Sequence, residues 1–409
     1  MTIAVGAFKS VRIKKETTAG MFAGASGAQE LRRVSFDMNV NMANIASNEI
    51  KTSQQTSVNR GGALTGGGTL NGELSPGAYV LPMQSAMCRD FATGATTGAQ
   101  TTISASSSAP HFSRSAGSFI TNGFKIGDVI SPTGFVATAN NGQRLIITAL
   151  TATAITVVNH YDGSAPTITT EAAGASVTIA LAGTGKKTHI PQTGHTDDSY
   201  SVEEWHADIA QSLVHMGVKW NGFGVQVDPN NMTTVAFPAM GLGKHQESTS
   251  QQFTSPTAPA TGDGTTGTSG ALVIGGTSVY NTVTGVSFTL DNGMTTASVV
   301  GSRYSPSVFI GRKDVTGQFT IFFENLTEYN AFLAETERSL VLVQTVSPSS
   351  TAKFVSFVMP RFKITNFNKN DTETGGCIVT CQFVALENVS GGSGTTSEAT
   401  TLSVQDSDA

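Results

Sequence analysis

The sequence predicts a mainly β protein: two similar halves, each an antiparallel β-sheet or barrel with one helix, plus a small all-β insertion in the first half. Three observations predict it. Only 13% of the 409 residues are charged, whereas Gly numbers 44, a composition that suits short strands and tight turns better than a helical bundle. Short runs alternate apolar and polar residues with the period of a half-buried strand. Three short motifs recur in the same order along the chain, the mark of an internal repeat.

The motifs set the organisation. Val34, Phe36 and Met38 alternate with polar residues as Val286, Phe288 and Leu290 do. Gly72-Glu73-Leu74-Ser75 resembles Gly317-Gln318-Phe319-Thr320, and 236–240 resembles 382–386. A helix follows each second motif. In the second half Asn325 caps it, Glu328 stands where a capping box places an acid, and Leu326, Tyr329, Phe332 and Leu333 share one face. In the first, Tyr79, Met83, Met87 and Phe91 recur every fourth residue, and Pro82 is a first-turn proline of a helix starting near Leu81. Residues 200–205, 218–227 and 233–240 read as strands of the first half, and 339–346, 353–365 and 377–386 as strands of the second. Pro229 and Pro360 require strand edges or turns, because proline donates nothing to a ladder.

About a hundred residues separate the first helix from its next strand. They open with a Thr/Ala/Ser/Gly tract and continue with β-like runs at 118–124, 128–131, 144–148, 155–158 and 176–181. Asn-Gly pairs at 122–123 and 141–142 punctuate them. The predicted layout is a first half of 1–92 and 196–245, an outward-projecting inserted β domain at 93–195, a linker at 246–276, a second half at 277–390 and a flexible polar tail at 391–409.

Chemistry is sparse. The three cysteines (Cys88, Cys377, Cys381) form no disulfide framework. No apolar run reaches the roughly 18 residues of a membrane helix, and the early charges follow the first apolar stretch, opposite to the order in a signal peptide. His189, His195, His206 and His215 lack metalloprotease or zinc-ribbon spacing. Glu203 and Glu204 are neighbours on a strand, so they point to opposite faces and cannot act as an acid/base pair. The Gly61-Gly62 and Gly66-Gly67-Gly68 runs lack the Lys and Ser/Thr of a phosphate loop and read as a flexible hairpin tip. The reading is therefore no enzyme, with no catalytic residue, no metal and no cofactor. A net charge of −5 argues against tight nucleic-acid binding.

Several segments resemble the tail tube proteins of long-tailed phages. They are Lys14-Lys15-Glu16-Thr17-Thr18-Ala19-Gly20, Leu31-Arg32-Arg33-Val34-Ser35, Ser47-Asn48-Glu49-Ile50-Lys51-Thr52, Gly72-Glu73-Leu74-Ser75-Pro76-Gly77, Glu203-Glu204 with Asp208-Ile209, Gly217-Val218-Lys219-Trp220-Asn221 and Val358-Met359-Pro360-Arg361-Phe362. The resemblance implies a structural subunit of a virion tail, made in the host cytoplasm, that stacks in rings around a channel for genomic DNA. Two tube-like halves imply three copies per ring. The implied partners are the chain itself, a tape measure protein and tail-terminator and tail-tip proteins, and no sheath is expected around the tube. The hairpin at 51–70 and its counterpart at 302–316 are expected to reach the next ring, with Lys51, Gln54, Arg60, Arg303, Arg312 and Lys313 as contacts. The alternative is a virion adhesin or carbohydrate-binding β protein. Its weakness is that 93–195 holds Tyr161 but no Trp on which a sugar could stack.

Overall fold

The computed structural model describes residues 3–279, 282–371 and 375–409. The first half supplies β1 (Lys9–Lys15), β2 (Ser35–Ala46), β3 (Asn59–Glu73), helix α1 (Val80–Met87) and, after the insertion, β4 (Lys186–His189), β5 (Tyr200–His206), β6 (Gln211–Trp220), β7 (Gly222–Val227), β8 (Thr234–Gly241) and β9 (Lys244–Ser248). The second supplies β10 (Gly270–Ile274), β11 (Val283–Asp291), β12 (Asp314–Phe322), helix α2 (Thr327–Leu333), β13 (Arg338–Thr345), β14 (Phe354–Asn370), β15 (Ile378–Ala385) and β16 (Ser403–Asp406). The chain is mainly β with one short helix in each half.

Both halves follow one pairing scheme, antiparallel throughout. In the first, β1 pairs with β5, β5 with β6, the β6–β7 run with β8, β8 with β3, and β3 with β2. In the second, β10 pairs with β13, β13 with β14, β14 with β15, β15 with β12, and β12 with β11. Even β9 on β6 has its match in β16 on β14. The rungs agree as well: Phe36, Leu70 and Phe237 lie side by side across three strands, as do Phe288, Gly317 and Phe383. Gly317 thus corresponds to Leu70, two residues from the Gly72 that the motif suggests. The reason is steric: a Cβ on Gly317 would lie 2.6 Å from the Phe383 ring.

The halves share one core. Phe223 lies 5.9 Å from Phe237 of its own half and 6.0 Å from Phe288 and Phe357 of the other, measured between ring centroids. Strand β7 then pairs directly with β11, from Gly222 opposite Asp291 to Val227 opposite Val286.

The insertion forms its own six-stranded sheet, from Ile103–Ser106, His111–Arg114, Val129–Thr133, Leu145–Leu150, Ala154–Asn159 and Thr178–Leu181. Phe112, Phe119, Phe124 and Ile155 fill its core. It lies on the second half, where Val129 and Ile146 pack with Val341, Val343, Phe354 and Val358. Strand β13 is therefore buried on both faces, with Leu340 and Leu342 facing the main core, which explains its unbroken apolar run. Gly127 sits at this seam with φ +91°, and a Cβ there would meet Val358 at 2.7 Å.

Several expectations change. Residues 118–124 form a turn, not a strand: Gly117 and Gly123 have positive φ, and the amide of Phe124 donates to the carbonyl of Phe119. The Thr/Ala/Ser/Gly tract conversely contains the strand Ile103–Ser106, whose Ile103 and Ala105 are buried. The 246–276 stretch is no free linker. Its Phe253 is fully buried against Phe22, and β10 carries four apolar residues into the sheet. Nor does the 391–409 tail fray. Strand β16 inserts between β4 and β14, and Leu402 and Val404 are buried. Buried charges help to hold it: the Lys187 ammonium lies 3.0 Å from Asp128 of the insertion and 2.7 Å from Glu398 of the tail. The glycine runs at 61–62 and 66–68 lie within β3, not at a tip. A Cβ on Gly68 would strike the Asp37 carbonyl and one on Gly61 the Met42 sulfur, so close strand approach selects glycine there. Pro360 occupies a bulge, where the partner register slips between Leu340 and Arg338.

Candidate assembly surface

Eight strands run in one continuous antiparallel order, β2–β3–β8–β7–β11–β12–β15–β14. One face carries Phe36, Leu70, Phe237, Phe223, Phe288 and Phe383 into the core. Alternation then puts polar side chains on the other face. Gln226, Ser287, Gln318, Gln382 and Asn366 stand abreast across five strands. The side-chain amide of Asn366 donates to Gln382 Oε1 at 3.3 Å. Strand parity also places Asp37, Glu73, Asp291 and Asp314 on this face.

Its cations are matched by carboxylates. Lys363 pairs with Glu335, and Arg361 makes a two-pronged contact with Glu337 at 2.7 Å. Hydrogen bonds from these partners hold both glutamates below the ordinary carboxylate range. Arg312 pairs with Asp314 at 2.8 Å, and that bond raises the guanidinium pKa. The face is thus polar and weakly acidic.

Among the described residues, both ends of the eight-strand order are open. Strand β2 pairs only with β3, and 363–370 of β14 pair only with β15. Helix α2 lies beside that second edge, where Tyr329 packs on Phe367 at 5.4 Å.

The chemistry expected to be absent leaves little to place. Among the described residues no group of three His, Cys, Asp or Glu side chains is arranged to hold a metal ion. Glu203 and Glu204 have separate structural partners, Arg12 and Ser212 for the first, Lys9 and His215 for the second.

A family model of phage tail tube proteins matches residues 6–385, covering both halves and the insertion. The chain belongs to the phage tail tube protein family. No curated protein matches it. A tail tube protein is a structural component of the phage tail, and no described helix of this one is long and apolar enough to cross a membrane.

The six side chains singled out for ring-to-ring contact separate into two groups. Strands β2 and β3 form a long hairpin whose connection spans 47–58. Lys51 and Gln54 lie on that connection, and Arg60 lies opposite Ile45 near its base. Lys51 is ion-paired with Glu49 at 3.8 Å, and Gln54 takes a positive φ of 53° in a turn. Arg303 joins this group from the second half: its guanidinium donates to Met42 Sδ at 3.3 Å, and its carbonyl accepts from the Leu64 amide. Arg312 and Lys313 stand apart at the start of β12. Lys313 donates to Cys88 Sγ at 3.1 Å and to Asn292 Oδ1 at 3.2 Å, so it is engaged between the halves.

The apolar face of α2 was legible, but its direction was not. Only Ala331 is buried, while Leu326 is 54% and Leu333 60% exposed. The N-cap position falls on Leu326 and carries no side-chain cap bond; Asn325, one residue earlier, accepts from the Thr327 amide through Oδ1 at 2.8 Å. Glu328 does not close a capping box and instead grips Arg338 through both oxygens.

Proposed function

We propose that the chain is the repeating subunit of a non-contractile tail tube, with three copies per ring and rings stacked around a channel that genomic DNA traverses into the host. The two halves are read as duplicated tube domains, so that three chains make a pseudo-sixfold ring. The observation that carries this reading is the repeated strand order together with the β7–β11 joint. Eight strands per copy give a closed ring of about twenty-four, well above the sixteen to eighteen that already leave an aqueous channel in porins. Full closure also removes the open edges that would otherwise aggregate. The polar, weakly acidic face becomes the lumen, where it repels phosphates and releases no counterions, so DNA slides without sticking.

Stacking falls to the β2–β3 hairpin, with Lys51, Gln54, Arg60 and Arg303 at or near its outer end. A head-to-tail contact of this kind propagates as a filament. A tape measure protein and terminator and tip proteins would bound the tube, assembled in the host cytoplasm. Negative-stain electron microscopy of the purified chain at rising concentration tests the reading. Hollow rings or tubes with threefold averages support it, and rings of another symmetry or solid fibres overturn it.

A further inference from the structure

The internal joint between the halves has a template's worth of detail, and the free edges are its missing counterparts. Strand β11 is paired on both sides, with β12 and β7; β2, at the same place in the pairing scheme, is paired among the described residues on one side only. The β6–β7 run is covered along β7 by β11, whereas 363–370 of β14 have no partner on that side among the described residues. The helices show the same asymmetry. Helix α1 buries Pro82, Met83, Ser85, Ala86 and Met87, and the second half closes over its C-terminal end: the Asn292 side chain donates to the Ala86 carbonyl at 2.8 Å and Lys313 to Cys88. Helix α2 leaves Leu326 and Leu333 54% and 60% exposed among the described residues, and Tyr329, packed on Phe367, is still 38% exposed.

We propose that β2 of one copy adds antiparallel to 364–370 of β14 in a second copy, in the register of the β7–β11 joint, and that the arriving half covers α2. The register follows from the rungs. Val225 and Phe367 hold equivalent places, because each lies opposite an equivalent residue, Val235 on β8 and Cys381 on β15. Val225 faces Phe288, and Phe288 corresponds to Phe36. Phe36 therefore meets Phe367, as Phe288 meets Val225. One rung along, Ser35 meets Asn368, as Ser287 meets Gln226. The faces agree: Phe36 and Phe367 lie on the core side, while Ser35 and Asn368 are exposed on the polar side. The occupant is a second copy because this chain carries both edges, and each repeats one side of a joint already made inside it. The contact is heterologous and so makes no twofold dimer; with a rotation of one third of a turn per copy it closes the three-copy ring. The inference rests on the tube reading and adds to it which strands meet and in what register.

Cysteine pairs test it in full-length protein carrying Cys377→Ser. Ser35→Cys with Asn368→Cys places two sulfurs on directly opposed residues, within the usual disulfide span. Asn39→Cys with Asn368→Cys is four residues out of register and cannot bridge. Ser287→Cys with Gln226→Cys is the internal equivalent, and should oxidise within one chain, without forming a cross-linked oligomer. Assembled rings of the first pair are expected to give a covalent ladder ending at the trimer, at least tenfold more than the shifted pair. Rings in the micrographs without that ladder, or with the shifted pair cross-linking equally, overturn the register while the tube reading stands. Neither rings nor ladder at any concentration overturns both. As a second variant, Leu333→Ser should leave the subunit's melting temperature within about 2 °C, because the side chain is exposed, yet lower ring yield at least fivefold. Unchanged ring yield would overturn the covering of α2.

Discussion

At the scale of residues, the body is held by polar groups buried with their partners. Glu16 accepts from the amides of Gly20 and Gly217 and from the hydroxyls of Ser199 and Ser201, joining a loop after β1 to β5 and β6. Glu16→Ala strands two buried amides and should cost about 2–4 kcal/mol in denaturant unfolding. Lys187 is a second case. Burial works to lower its pKa, but Asp128 and Glu398 outweigh burial and raise it. Lys187→Met leaves both carboxylates without their cation and should cost about 3–5 kcal/mol. Asp406 is different, since burial pushes its pKa up to about 7 despite bonds from the Asp408 and Gly77 amides. Its folded pKa lies above the unfolded value, so its contribution is complete below about pH 4 and is lost as pH rises towards 7. Asp406→Asn should therefore gain stability relative to the natural chain as pH goes from about 4 to about 7, by up to about 4 kcal/mol. Melting temperatures of both proteins across that range check it, and parallel curves would show that Asp406 does not titrate there. His160, lowered to about 4 by burial, has the opposite sign and weakens the fold as pH falls below about 6.5.

At the scale of elements, most strands were legible and several ends were not. Alternation found β2, β11, β8 and β15, because one face of each is buried and the other wet. It missed most of β6, where Glu204 and Glu203 hold His215 and Ser212 inside and blur the pattern. The tail misled for a related reason: β16 is Ser403–Asp406, polar in sequence yet wholly buried between two strands. The hairpin connection 47–58 makes no strand of its own and is largely exposed, with Ile50 98% accessible. Replacing 47–58 by Asn-Gly should leave the melting temperature within a few degrees but convert tubes into single rings. Tubes of normal length in micrographs would remove the hairpin from the stacking contact.

At the scale of the whole molecule, one sheet of eight strands and one shared core make the two halves a single body. The polar face depends on that continuity, since it is spread over strands from both halves. If it lines a channel, its low positive charge is a working property. Gln318→Lys with Gln382→Lys would add six cations to each ring of three. Tubes of this variant should retain double-stranded DNA at low salt and release it as salt rises, whereas tubes of the natural chain retain none. Filter-binding across a salt series checks this, and equal retention by both would argue against a DNA-facing surface.

The sequence by itself determined the fold class, the two-part order of motifs and the family, because strand alternation and turn chemistry are local and survive without knowledge of partners. It also marked the 47–58 connection, with Lys51 and Gln54, as a local feature, since a hairpin is a contiguous stretch of chain, whereas the contact of Arg303 with that hairpin is tertiary. Only the tertiary structure decided which strand edges stay open, that α2 presents Leu326 and Leu333 to solvent, and that the insertion, the 246–276 stretch and the tail are packed against the body. Those outcomes depend on which surfaces meet across hundreds of residues, and a period of two or of 3.6 says that a face is apolar without saying what covers it.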